Sequence, residues 1–174
     1  MISNRLNGSA KYIEKGTPFQ IEDFRITAFD VPHDSNDNAG YFIEFAGQKL
    51  TLATDVGRIT EEVARYALQA NHLVIESNYD EDMLQSGRYP WHLKRRITSG
   101  TGHLSNRQAA EFLADHIHEE MRNIWLCHLS GDNNNPELAY STIKDHLTLK
   151  GIEVGKKVAL HVFERNILSD ITLF

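Results

Sequence analysis

The sequence has 174 residues, enough for one domain with a real core and too few for two comfortable ones. Hydrophobic residues make up 41% and charged residues 24%, which excludes wholesale disorder, and a net charge of −6 gives the surface as a whole no attraction for nucleic acid. The single cysteine, Cys127, excludes an internal disulfide. No apolar run reaches the ~20 residues of a membrane span, and the polar start from Met1 to Asn7 lacks the apolar stretch of a secretory signal. The cytoplasm is therefore the expected compartment, with no membrane partner.

Between Gln20 and Asp30 the apolar residues Ile21, Phe24, Ile26 and Ala28 recur with a roughly strand-like period. The segments 39–45 and 48–54, separated by Gly47, read as a β-hairpin. From Thr60 to Asn71, Val63, Ala64, Ala67 and Leu68 fall at helical spacing, with Glu61 and Glu62 in the first turn where the dipole favours them. Residues 72–77 look like a buried strand, and 79–98 hold one or two short helices broken by Gly87 and Pro90. Ser105 and Gln108 make a capping box that opens a helix from Asn106 to Glu119. Residues 122–128 predict a strand, Asn135-Pro136 opens a helix that ends near Gly151, and 157–163 close as a last strand. Strands alternating with helices give an α/β sandwich.

Four loops that follow predicted strands or precede a predicted helix carry polar clusters: Val31-Pro32-His33-Asp34, Ala53-Thr54-Asp55-Val56-Gly57, Gly102-His103-Leu104-Ser105-Asn106, and Cys127-His128-Leu129-Ser130-Gly131-Asp132-Asn133-Asn134. Active sites of α/β folds gather at such ends. Histidine with aspartate is the ligand set of zinc, manganese or iron, and a carboxylate can bridge two ions that make a nucleophile of water near neutral pH. Each residue also has a plain reading. His33 could be a turn histidine, Asp55 a cap for the helix near Thr60, His128 a satisfied strand-end residue, and His103 a turn closure. The other histidines are weaker. His116 and His118, two apart on one predicted helix, would face different ways; His72 and His161 lie in apolar strands; His146 sits on an amphipathic helix; His92 is ambiguous. The run Asp34-x-Asn36-x-Asn38 imitates a calcium loop but has Ala39 and Phe45 where that loop needs Gly and Glu.

From Met83 to Ala110 the chain carries five basic residues (Arg88, Lys94, Arg95, Arg96, Arg107) and no acidic one, interleaved with Tyr89 and Trp91. Arginines with aromatics suit single-stranded nucleic acid or a phosphodiester, and the window ends at the capped helix start after Ser105, where free backbone N–H groups favour a phosphate. The plain alternative is a solvated helix face with Tyr89 and Trp91 as packing anchors.

In order and wording the loops resemble the C-terminal part of metallo-β-lactamase-fold hydrolases of the YycJ/WalJ-type group. The similar text is Phe29-Asp-Val-Pro-His33-Asp34, Gly40-Tyr41, Ala53-Thr-Asp55-Val-Gly57, Glu76-Ser-Asn-Tyr-Asp80, Met83-Leu84, Tyr89-Pro90, Lys94, Arg96, Gly102-His103-Leu-Ser-Asn106 and His128-Leu-Ser, spanning about residues 18 to 140. The resemblance implies an αβ/βα sandwich with a two-metal site (zinc or manganese) in which His33 and His128 are ligands and Asp55 bridges the ions. It implies that His103 assists proton transfer beside the substrate phosphate, and that the substrate is nucleic acid, cut 5′-to-3′ as single-stranded or 5′-end DNA; the basic window and the capped helix start independently offer Arg95, Arg96, Ser105 and Asn106 to that phosphate.

The family's H-x-H-x-D-H motif is missing; the only H-x-H is His116-Ile-His118. On that reading residues 1–174 form one partial domain, truncated and close to inactive, because three ligands do not close two metal sites. A bare sheet face would invite association, so a homo-oligomer is one reading. Two other functions stay open: a hydrolase of small esters, thioesters or lactams on the same fold, and a non-catalytic remnant that serves as an interaction module.

Overall fold

The computed structural model of the chain describes residues 12–169; the polar start from Met1 to Asn7 lies outside them. The first apolar stretch makes two strands rather than one. β1 (Phe19–Ile21) and β2 (Phe24–Asp30) form a hairpin that turns at Glu22–Asp23, with Glu22 at φ +50 and Ile21 paired with Phe24. β3 (Ala39–Phe45) and β4 (Gln48–Ala53) are the expected second hairpin. Its two-residue turn, Ala46-Gly47, has φ values of 48 and 80, the double left-handed pattern that matches strand twist.

The rest alternates. α1 (Glu61–Ala67) is capped by the Thr60 side chain, and β5 (His72–Glu76) is buried at every position. Two short helices, α2 (Glu81–Ser86) and α3 (Trp91–Ile97), lead to α4 (Asn106–His116), whose capping box is formed by Ser105 and Gln108. β6 (Asn123–Cys127), α5 (Pro136–Leu149) and β7 (Ala159–Val162) complete the chain of elements. α4 stops at His116 instead of Glu119, because Ile117 turns to extended backbone and packs on the core. His118 consequently lies past the helix that was expected to hold both it and His116.

Among the described residues seven strands form one mixed sheet whose spatial order follows chain order. The pairs from β1 to β4 are antiparallel; β4–β5, β5–β6 and β6–β7 are parallel. β2, β4, β5 and β6 thus run the same way and end at the same edge. Alternate residues take opposite faces. Leu73, Ile75, Ile124 and Leu126 join the main core with Val63, Ala109, Leu113 and Ile143 of the helices. Val74, Trp125 and Cys127 form a smaller cluster with Leu50, Leu52 and Phe163. Among the described residues no helix is long and apolar enough to cross a membrane.

Candidate metal centre

Four strand directions bring four loops to one edge of the sheet. His33 follows β2, Asp55 follows β4, Glu76 ends β5, and His128 follows β6. His103 comes from the loop between α3 and α4, held at this edge by a bridge between Tyr79 and Ser105. Asp55, Glu76, His103 and His128 each offer a ligand atom within 4.8 Å of the others. Asp55 Oδ1 lies 3.6 Å from both His33 Nε2 and His128 Nδ1. The ring of His103 is 5.0 Å from that of His33 and 5.1 Å from that of His128, centre to centre. A cavity of about 470 Å³ opens onto His103 and His128, with Tyr89, Arg96, Ser130 and Arg165 in its walls.

The backbone is unusual where the ligand candidates sit. Asp55 and His128 both have φ +57, the left-handed region that non-glycine residues seldom occupy. Asp55 does not cap α1, since Thr60 does that. Gly102 is required by packing: a Cβ there would collide with the carbonyl oxygens of Arg96 and Ile97. The Gly102 carbonyl in turn takes His33 Nδ1 at 3.0 Å.

Glu76 organises the cluster, and the sequence reading gave it no role. Its side chain is fully buried and accepts from the N–H groups of Val56 at 2.6 Å and Leu104 at 3.2 Å. Its Oε1 also receives His103 Nδ1 at 2.8 Å and His128 Nδ1 at 2.6 Å. Burial pushes this carboxyl up, but the two imidazoles and the Val56 amide outweigh it and hold it below the ordinary range. The hydrogen bond to Glu76 raises the His128 pKa, against the effect of burial. An ionised carboxylate only accepts, so both rings donate from Nδ1 and keep Nε2 for another partner. His33, anchored by a carbonyl at Nδ1, is arranged the same way. Imidazoles fixed through one nitrogen, beside a carboxylate, form a donor set that fits divalent ions. The signal for Glu76 was an acid closing the buried apolar strand His72-Leu-Val-Ile-Glu76, since a buried charge demands partners.

The expected phosphate contacts divide. Ser105 and Asn106 are 0% and 1% exposed. The Ser105 hydroxyl accepts from Gln108 N–H and donates to Glu81, while Asn106 bonds Ser77 and Asn134. Their side chains are thus engaged within the protein. Arg96 forms a two-point ion pair with Asp34, whose carboxyl it lowers to about 2. Arg95 lies over the Trp91 ring, 5.3 Å from its centre. Elsewhere, His72 is buried between Gln48 and Asn123, His92 is exposed, and Nδ1 of His116 and of His146 bonds a carbonyl of its own helix.

Residues 3–128 match the β-lactamase superfamily domain. The exodeoxyribonuclease YycJ of Bacillus anthracis is 41% identical over 139 residues, 80% of this chain and 53% of the relative. The exodeoxyribonuclease WalJ of Streptococcus pneumoniae is 35% identical over 152 residues, 87% of this chain and 56% of the relative. The chain therefore spans about half the length of these relatives. Among solved structures, the metallo-β-lactamase fold protein YhfI from Bacillus subtilis superposes with a TM-score of 0.60 at 13% identity, covering 87% of this chain and 50% of that one. The Zn(2+)-bound PqqB from Methylobacterium extorquens gives 0.54 at 21% identity, covering 85% and 49%. These two likenesses concern the fold.

Proposed function

Because the chain belongs to the β-lactamase superfamily and has exodeoxyribonucleases among its relatives, we propose that its strand-end cluster is part of a metal-dependent centre that hydrolyses phosphodiesters of nucleic acid. One observation carries this reading. Asp55, Glu76, His103 and His128 meet within 4.8 Å, with His33 at 3.6 Å from Asp55, although they are far apart in sequence. His33, Asp55 and His128 would supply part of the ligand set of a two-ion centre, zinc or manganese, and Asp55 is the carboxylate within reach of both histidines. Such ions would neutralise charge on the phosphoryl group and make water a nucleophile near neutral pH.

The protein's own groups supply the rest. Glu76 fixes the tautomer of His103 and offsets the charge of its imidazolium, so Nε2 can pass a proton to the leaving oxygen. His103 and Arg95 are the groups we assign to the substrate phosphates, and the substrate we assign is single-stranded DNA taken from its 5′ end in the cytoplasm.

The test is built first on ion binding. Calorimetry should show that the chain binds Zn²⁺ or Mn²⁺ and that Asp55→Ala weakens this by more than about tenfold, the least that disturbing such a shell costs. Metal-dependent cleavage of 5′-phosphorylated single strands, assayed in a chain of the relatives' full length, should disappear with the same substitution. An Asp55→Ala chain that bound metal like the native one would sink the reading.

A further inference from the structure

A second cavity, of about 640 Å³, lies beside the cleft; Tyr79, Leu84, Tyr89, Trp91, Lys94 and Arg95 are in its walls. Tyr89 lines both spaces, so they adjoin across a single ring. That ring is pinned, since its hydroxyl donates to Asp132 Oδ2 at 2.8 Å. Trp91 opens α3, a helix with no buried residue, and is 71% exposed. Arg95, one turn further on, lies over the indole. Lys94 fastens α3 to α2 by donating to the Gln85 carbonyl at 2.6 Å. Glu81 is the one acid among the described wall residues, and it is already engaged by the Arg107 guanidinium and the Ser105 hydroxyl. The cavity therefore presents a broad aromatic face with uncompensated positive charge beside it.

We propose that this cavity is a nucleobase subsite: the nucleotide next to the scissile phosphate turns its base past Tyr89 onto the Trp91 indole, and Lys94 and Arg95 face the adjoining phosphates. The proposal rests on the phosphodiesterase reading of the cleft. Stacking of this kind is indifferent to sequence, because every base has a π-face. It demands an unstacked strand, because a base paired and stacked in a duplex has no face to offer. The pair of cavities thus selects single strands by geometry rather than by reading bases.

The experiment uses the metal-free chain in chelator, with an oligothymidylate of about eight nucleotides and a strand of equal length and charge that lacks bases. Oligothymidylate should quench the emission of the exposed indole; the abasic strand should not, and it should bind about tenfold more weakly. A blunt duplex should leave the emission unchanged. Trp91→Ala should bring oligothymidylate down to the abasic affinity. Trp91→Phe should restore most of the binding, and its spectrum isolates the emission of Trp125. Equal affinities for the two strands, equal binding of oligothymidylate by native chain and Trp91→Ala, or no binding at all would each overturn the subsite. Ion binding by Asp55→Ala reports separately on the cleft, since that substitution leaves Trp91 untouched.

Discussion

At the scale of the residue, Glu76 decides most. One buried carboxylate orients two imidazoles, so its charge rather than its shape is what the cluster needs. Glu76→Gln keeps the shape and removes the charge. We expect a loss of about 2 kcal/mol in urea unfolding of the metal-free protein, in the range of one hydrogen bond to a charged group. The loss should depend on pH. His128 holds its proton more tightly when folded because of Glu76, so that stabilisation is present below the ordinary histidine value of ~6.5 and fades as pH rises through the folded value. The native protein's margin over Glu76→Gln should therefore be larger at pH 6 than at pH 9; an equal margin would mean that Glu76 does not hold the His128 proton. Asp55 and His128 were legible as strand-end residues because a polar residue after an apolar run is a local pattern. Glu76 closes an apolar run in the same way, but its role was hidden because its partners arrive from loops 27 and 52 residues away. The burial of Ser105 and Asn106 was hidden as well: polarity can be read from a sequence, burial cannot.

At the scale of the element, the loop between α3 and α4 carries two duties at once. Its Gly102 carbonyl anchors His33, and its next residue is His103. Gly102→Ala would force a Cβ against the carbonyls that end α3, so the loop must shift. We expect a loss of about 2 kcal/mol, typical of overpacking, together with weaker ion binding. Thermal unfolding and calorimetry on one variant would measure both, and a variant that lost stability but bound metal normally would uncouple the loop from His33. The elements legible in the sequence were those with local signals. Ser105 with Gln108, Asn135 before Pro136, and the Ala46-Gly47 turn each write their own boundary. The turn at Glu22–Asp23 has no glycine or proline, and only the three-residue step from Ile21 to Phe24 breaks the apolar alternation there. The end of α4 was silent, because Ile117 leaves the helix to meet a core made by distant residues.

At the scale of the whole molecule, the two faces of the sheet are unequal. Leu126 is fully buried in the large cluster beneath the helices, whereas Val74, on the same sheet, belongs to the small cluster with Trp125 and Cys127. Leu126→Ala should cost about 3 kcal/mol, and Val74→Ala about 1.5 kcal/mol for the two methyl groups removed. Urea titration of the pair would reveal whether the helix side truly carries the larger share; equal losses would refute it. The strand order has a further consequence. Since each strand pairs with the one made just before it, a ribosome delivers β1 to β7 in the order in which they dock. Among the described residues no strand waits for a partner not yet synthesised, so the nascent sheet can zip up vectorially, each new strand docking on the edge left by the one before.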